Sequence, residues 1–515
     1  MKLVSVAEMR AIEKEADSKG VSYAQMMENA GRGLAELVHA MGRENGWEEV
    51  TGLAGPGNNG GDALVALTWL AEAGWHTHAY LIRRKENDEL VTRYLDVGGE
   101  VANPETDENL VTLGSFLEAS DVLLDGLLGT GIKLPLKPEM VNLLKNINML
   151  MLKMELPPFV VAVDCPSGVD CDTGEVAAET IRADSTITMA AVKNGLLKLP
   201  AFEMIGDLQV VDIGLPNDLE SFNQIEAQVA DHKLVSTFLP ERKLDSHKGT
   251  YGTAVITAGS TRYTGAALLA GMAAYRIGAG LVTMAVPEPL HSVLAGHLPE
   301  ATWILLPHES GSISEKAGEV LLQNLDRATG FLVGPGLGNS LSTRKFIESI
   351  ISTVKVPIIV DADGLRHLSQ IQDWYKKLLS PAILTPHPGE MSILTGLSKE
   401  DIQNSRGGIA SKYAKEWGHV VVLKGAFTVI ASPDGRITII PVATPALARA
   451  GTGDVLAGLI VGLRAQGLGA YDAAVAGSYI HAQAGLIAAK DLGTTASVLA
   501  SDILDSVADV LSELQ

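Results

Sequence analysis

The sequence predicts two α/β domains on one chain, each a parallel sheet covered by helices. At 515 residues the chain exceeds the size at which a single hydrophobic core stops growing. Apolar runs of strand length recur ahead of glycine-rich turns and amphipathic helices, the alternation that builds parallel sheets. Between two such series, residues 213–245 mix prolines, acids and amides after the strand-like DLQVVDIG, which sets a boundary near residue 225 and domains over 1–225 and 226–515.

Taken in order, strands are expected in TGLAG (51–55), HAYLI (78–82), VLLDGLLG (122–129) and VVAVD (160–164) of the first domain. The second domain offers TAVITAG (253–259), GFLVGPG (330–336), VPIIVDAD (356–363), AILTPHPGE (382–390) and HVVVLKG (419–425). No short fixed period runs through either half, which excludes a solenoid. A hydrophobic share of 46% and a charged share of 20% describe a globular chain, and a net charge of -21 argues against a nucleic-acid partner. Two cysteines, Cys165 and Cys171, are too few to staple a secreted fold of this length. The opening MKLVSVAEMRAIEKEAD carries charges by its second turn, and no uncharged apolar run reaches the ~18 residues of a membrane span. A cytoplasmic protein with neither signal peptide nor membrane segment is expected.

In the first half, Gly55, Gly57 and Gly60 satisfy G-x-G-x-x-G between a strand and a helix, but no acid follows about 20 residues on to hold a ribose. The next strand ends in Arg83 and Arg84, which could face a 2′-phosphate or solvent. More specific is Asn58-Asn59-Gly60-Gly61-Asp62, two amides and several backbone N–H groups at a helix start, suited to a polyanion. Asp62 could equally be a helix N-cap. Asp125 ends one strand ahead of Gly129, Thr130 and Gly131, and Asp164 and Ser167 follow another, where open α/β sheets form their ligand crevice. Asn59, Asp125 and Ser167 offer hard oxygens to a cation of a kind other than zinc, and Asp164 offers a base; loop capping is the bland alternative for both aspartates.

MMENAG (26–31), NNGGD (58–62), DGLLGTG (125–131), DCPSG (164–168) and AVKNGLL (191–197) together resemble the Rossmann-like YjeF N-terminal domain, the epimerase of hydrated NADH and NADPH. The resemblance implies that Asn58, Asn59, Gly60, Gly61, Asp62, the stretch Gly129, Thr130, Gly131, Ile132, Lys133, Leu134 and Pro135, and Asp164 touch the hydrated dinucleotide. It implies K+ on Asn59, Asp125 and Ser167, and a catalytic role for Asp164. Cys165 stands where the family commonly carries an aliphatic residue, a packing change.

In the second half, RAGTGDVLAGLIVGL places Gly451, Thr452, Gly453 and Asp454 at the mouth of an apolar helix. Glycines there allow close backbone approach, and the helix's unpaired N–H groups make an anion hole. The helix dipole should favour ionised Asp454, a base poised at a phosphoryl-transfer site; the alternative is a simple N-cap. YTGAALLAGMAAYRIGAG supplies a small-residue helix that lets backbones approach, and GPGLG (334–338) follows a strand directly. In TPHPGE (385–390), His387 is either a ligand contact or a satisfied loop histidine, and Glu390 orients hydrated magnesium or caps the next helix. VVVLKGAFTVI brings Lys424 and a Gly-Ala turn toward the same wall as ATPALARAGTGD.

SHKG, GPGLG, TPHPGE, LKG and ARAGTGD jointly resemble the YjeF C-terminal domain, a ribokinase-like fold that dehydrates NAD(P)H hydrate at the expense of ADP or ATP. The resemblance implies that Ala266, Gly338, His387 and Asp454 face the hydrate. It puts Lys424, Gly425, Ala426, Phe427 and Thr428, with Thr444, Ala450, Gly451, Thr452 and Gly453, around the adenine nucleotide. Arg366 stands where relatives often have asparagine. ADP as cosubstrate, Mg2+ and a homo-oligomeric state are expected on the same basis. The competing expectations are a small-molecule kinase fused to a dinucleotide-binding regulatory domain, and a noncatalytic nucleotide-binding scaffold.

Overall fold

The computed structural model describes residues 1–85 and 87–515. The chain divides into two compact units, Met1–Ile225 and Glu226–Gln515. In the first, seven strands form one wholly parallel sheet: β1 (Glu49–Ala54), β2 (His76–Leu81), β3 (Glu100–Ala102), β4 (Val122–Gly126), β5 (Phe159–Val163), β6 (Ser185–Met189) and β7 (Asp207–Val211), in the order β3-β2-β1-β4-β5-β6-β7. β4 reads VLLDG and is buried throughout, as a strand covered on both faces must be. Strand order reverses between β1 and β4, so the loops after them diverge and leave a crevice. Helices α1 (Val6–Ser18), closed by a Ser5–Glu8 capping box, α2 (Tyr23–Asn45), capped by Ser22, and α3 (Asn58–Glu72), which starts directly after β1, wall it together with the short helix Glu89–Asp96.

The second unit carries a ten-stranded sheet: β8 (Ala227–Val229), β9 (Thr253–Thr257), β10 (Leu281–Pro287), β11 (Thr302–Leu306), β12 (Gly330–Val333), β13 (Ile358–Val360), β14 (Ile383–Leu384), β15 (Val420–Leu423), β16 (Val429–Ala431) and β17 (Ile437–Ile439). The order is β8-β17-β16-β15-β14-β13-β12-β9-β10-β11. The expectation of a parallel sheet fails at one strand, because β16 runs antiparallel to both β15 and β17. Residues 424–428 are too few for a crossover helix, and a link that short returns the chain as a hairpin. Strands β3, β6, β8, β10, β11, β16 and β17 join the sheets beside those the apolar runs marked.

Helix α4 (Thr264–Arg276) follows β9, α5 (Pro388–Thr395) follows β14, and α6 (Thr452–Ala465) begins at Gly451. α4 presents buried Ala266, Ala267, Ala270, Ala273 and Ala274, and α6 lies against it so closely that a Cβ on Gly458 would stand 2.3 Å from the Ala270 carbonyl oxygen. Alanine is the better helix former by ~1 kcal/mol, yet Gly458→Ala is expected to destabilise the second unit by ~1–3 kcal/mol through overpacking. Thermal denaturation checks this: an unchanged or raised midpoint would show that the helices separate freely.

Candidate active sites

At the C-terminal ends of β1, β4 and β5 lies a cavity of about 880 Å3, within the range that holds a small-molecule ligand. Asn58, Asn59, Gly60, Asp62, Gly129, Thr130, Gly131, Ile132 and Asp164 line it, whereas Gly61, Lys133, Leu134 and Pro135 are not among its lining residues. Gly61 faces α2 instead, where a Cβ would meet Met27 Sδ at 2.7 Å. Asp62 sits inside α3, whose N-cap is Gly57, so the N-cap alternative for Asp62 falls. Arg84 turns inward: its guanidinium donates to the Gly55 and Gly57 carbonyls at 3.0 and 2.9 Å and pairs with Asp88 at 3.2 Å, bracing the glycine turn. Arg83 pairs with Glu139.

Asp164 follows β5 with φ +66°, a left-handed conformation rare outside glycine. Its Oδ1 accepts from Thr188 Oγ1 at 2.9 Å, from the Met189 N–H at 3.0 Å and from Lys193 Nζ. Lys193, 1% exposed, was not singled out by the sequence. The residue is visible in AVKNGLL, but nothing in that string announces that its side chain turns inward to a strand-end aspartate. Glu13 on α1 also lines the cavity. Burial first, then the Asp164 charge, pushes its carboxyl above the usual range.

Asn59, Asp125 and Ser167 come together at the switch point. Asp125 is fully buried and accepts from the Ser167 N–H at 2.8 Å and Ser167 Oγ at 2.5 Å, while Ser167 Oγ accepts from the Leu128 N–H at 2.8 Å. Asn59 gives its Nδ2 protons to the Val163 and Leu128 carbonyls, leaving Oδ1 free of donors among the described residues. A Cβ on Gly129 would lie 2.2 Å from that oxygen, so only glycine keeps the cradle open. A buried carboxylate, a hydroxyl and an amide oxygen suit a hard monovalent or divalent cation.

In the second unit the ends of β12, β13, β14 and β15 converge on the start of α6. Lys424 Nζ stands 2.7 Å from Asp361 Oδ1 and 3.9 Å from Glu390 Oε2. Burial lowers its affinity for a proton, but Asp361, Glu390 and Asp454 more than reverse this and hold it above the ordinary lysine range. A Cβ on Gly453 would be 3.6 Å from the ammonium, which places Lys424 over the glycine loop. Gly451 takes φ +93° to turn the chain into α6. Asp454 is the third helical residue rather than a cap, and its carboxyl makes no hydrogen bond among the described residues. Burial first, then Asp361 and Asp363, push it up to about 7, against the ionised form that the helix dipole favours.

His387 caps α5, its Nδ1 accepting from the Gly389 and Glu390 N–H groups at 2.9 and 3.3 Å, while Glu390 reaches back to the His387 N–H at 2.9 Å. Burial, with Lys424 and Arg366, lowers the His387 pKa and favours its neutral ring. Gly338 is clamped on both sides, its N–H donating to Asp363 at 2.9 Å and its carbonyl meeting His367 Nε2 at 2.9 Å. Ala266 lies beside the same loop, 2.8 Å from where a Cβ on Gly336 would stand. Phe427 is buried with φ +53° and its N–H bonded to the Val442 carbonyl at 3.0 Å. The hydroxyls of Thr428, Thr444 and Thr452 are spent within their own loops, on Gly425, on the Ala446 N–H, and on the carbonyls of Leu447 and Arg449. Asp361 and Asp363 escaped sequence analysis although DAD ends a strand just as Asp125 and Asp164 do.

A cavity of about 880 Å3 in one unit and a lysine–carboxylate cluster at a helix mouth in the other give this α/β chain two candidate sites, the arrangement of a two-site enzyme. A family model described as NAD(P)H-hydrate dehydratase matches residues 254–508, and one described as YjeF-related protein N-terminus matches residues 23–195. The bifunctional NAD(P)H-hydrate repair enzyme of Moorella thermoacetica is 36% identical over 100% of this chain and 97% of its own, and that of Thermofilum pendens 36% identical over 96% and 93%. The chain belongs to the family of bifunctional NAD(P)H-hydrate repair enzymes. A solved ADP/ATP-dependent NAD(P)H-hydrate dehydratase from Bacillus subtilis, co-crystallised with ATP and Mg2+, is 33% identical, matching 56% of this chain and 99% of that one with a TM-score of 0.49.

Because the folded value of Asp454 lies near 7 and the ordinary one at 3.8, the folded state binds that proton more tightly. The associated stability is present in acid and is lost as pH rises through about 7. Asp454→Asn removes the titration, so its thermal midpoint is expected to exceed that of the parent at pH 8 but not at pH 4; equal shifts at both would overturn the assignment.

Proposed function

We propose that the first unit interconverts the R and S hydrates of NADH and NADPH, and that the second dehydrates the S form using ADP, giving AMP and phosphate. The observation that carries the second activity is Asp454, a carboxyl without a hydrogen bond at the mouth of α6, beside a lysine poised over Gly453. Hydroxide is a poor leaving group, and phosphorylation of its oxygen turns it into a good one, which drives the net elimination. Asp454 takes the hydroxyl proton as that oxygen attacks the terminal phosphorus, and the N–H groups of the Gly451–Gly453 turn and Lys424 stabilise the charge on the transferring group. The C6–O bond then breaks with loss of phosphate, the ring nitrogen supplying the electrons, and loss of a C5 proton restores the dihydropyridine. Ala266, Gly338 and His387 shape the hydrate side; Lys424 to Thr428 and Thr444 to Gly453 shape the nucleotide side.

Among the described residues no group of three His, Cys, Asp or Glu side chains is arranged to hold a metal. This accords with magnesium arriving on the nucleotide phosphates and meeting one or two carboxylates, Glu390 and Asp361 being nearest Lys424. Magnesium supplies charge neutralisation on those phosphates. In the first unit potassium on Asn59, Asp125 and Ser167 would supply fixed positive charge beside the polyanion-binding turn. No helix among the described residues is long and apolar enough to cross a membrane. Cys165 and Cys171 are free thiols, which accords with a cytoplasmic enzyme; a homo-oligomer is part of the same proposal.

Incubation with mixed R and S NADPH hydrates, ADP and magnesium is expected to restore NADPH absorbance completely. Recovery of the S portion alone, beyond slow spontaneous epimerisation, would refute the first activity, and phosphorylation of a sugar or vitamin without recovery would establish the kinase alternative. Asp454→Asn should lower dehydration by ~10²–10⁴-fold while epimerisation persists. Below a pH of about 7 the parent's kcat/KM for dehydration should fall as the base is protonated. Replacing potassium by choline should raise KM for epimerisation, and an unchanged KM would remove the cation from the site.

A further inference from the structure

Inverting the carbon that bears a hydroxyl and a ring nitrogen by exchanging that hydroxyl for water needs two proton transfers on opposite faces. The departing hydroxyl must be protonated, and the water that replaces it must be deprotonated. The cavity of the first unit holds two carboxyls in unlike settings. Asp164 is bound through one oxygen only: Oδ1 takes all three donors, and Oδ2 accepts none among the described residues. Lys193 spends its protons on Asp164, on Thr188 Oγ1 at 2.9 Å and on the Met189 carbonyl at 2.8 Å, so it has none left for a ligand. Asp62 lines the same cavity from α3, is 6% exposed, and has neither hydrogen-bond donor nor ion-pair partner among the described residues.

We propose that epimerisation runs on this pair, Asp62 giving a proton to the hydroxyl leaving C6 and Asp164 Oδ2 taking one from the incoming water, with Lys193 as the positioning residue that holds Asp164. The proposal rests on the epimerase activity given above. A carboxylate buried without a donor is costly, and a protonated one is not. Burial first, then the charges of Asp164 and Glu13, push the Asp62 carboxyl well above the usual range, with Lys193 and Arg84 opposing. In the step, the C6–O bond breaks as Asp62 delivers its proton and water departs, the nitrogen lone pair forming a C=N+ bond. Water then adds to C6 from the other face, its proton passes to Asp164, and the electrons return to nitrogen. Asp62 ends ionised and Asp164 protonated; the reverse inversion uses them in exchanged roles, or solvent in the cavity returns the proton.

The full chain, given the R hydrate of NADPH in H2(18)O without ADP, is expected to place one solvent oxygen on C6 per inversion. Asp62→Asn should lower kcat ~10²-fold or more with KM within about threefold, and Asp62→Glu should recover part of the loss. Lys193→Met should depress kcat with KM little changed, since Lys193 has no proton for the ligand. A parent chain that interconverts nothing refutes the epimerase activity itself. A parent that interconverts while Asp62→Asn keeps its kcat, or loses KM alone, or inversion without solvent oxygen, overturns the acid–base pair and leaves the activity standing.

Discussion

In each unit a lysine taken out of water is held against the aspartate that ends a central strand: Lys193 on Asp164, and Lys424 on Asp361 at 2.7 Å. Removing two charges from water costs several kcal/mol per ion before their attraction returns any of it. Such pairs persist only where hydrogen bonds satisfy the remaining valences, as Thr188 and Met189 do for the first and Thr385 at 2.7 Å for the second. Their positions follow from the parallel strands that precede them, whose C-terminal ends open on one edge. That edge is where a short polar loop can be both buried and open to a ligand.

The same burial sets the acid–base properties of what surrounds each pair. Glu13 and Asp62 near Asp164, and Glu390 and Asp454 near Asp361, are all raised by desolvation first and by neighbouring carboxylates after. The lysines moderate this and do not abolish it. A helix N-terminus contributes a fraction of a charge at most, too little to hold Asp454 in the usual carboxylate range against burial and two aspartates.

Much of this was legible in the sequence. TGLAG, VLLDGLLG and VVAVD mark strands because apolar runs before glycine turns have few other places to go. NNGGD, DGLLGTG and DCPSG mark the crevice because oxygen-bearing side chains follow those strands. What escaped was whatever depends on chain reversal and side-chain direction. The antiparallel β16 needed the length of its connection rather than its composition, and Lys193, Asp361 and Asp363 needed knowledge of which way a loop residue points. Arg84 reads in sequence as either a phosphate contact or a solvated residue, and in space its guanidinium braces the carbonyls of Gly55 and Gly57.

The seam between α4 and α6 contains alanines on one side and Gly458 and Gly462 on the other, and a Cβ on Gly462 would stand 2.9 Å from the Ala274 carbonyl oxygen. Helices meshed so tightly have no slack for sliding. Since α4 carries Ala266 and α6 carries Asp454, the spacing between those two positions is a fixed gauge. Room for a larger or smaller guest must come from the loops around that gauge, while Asp454 keeps its distance from the wall opposite.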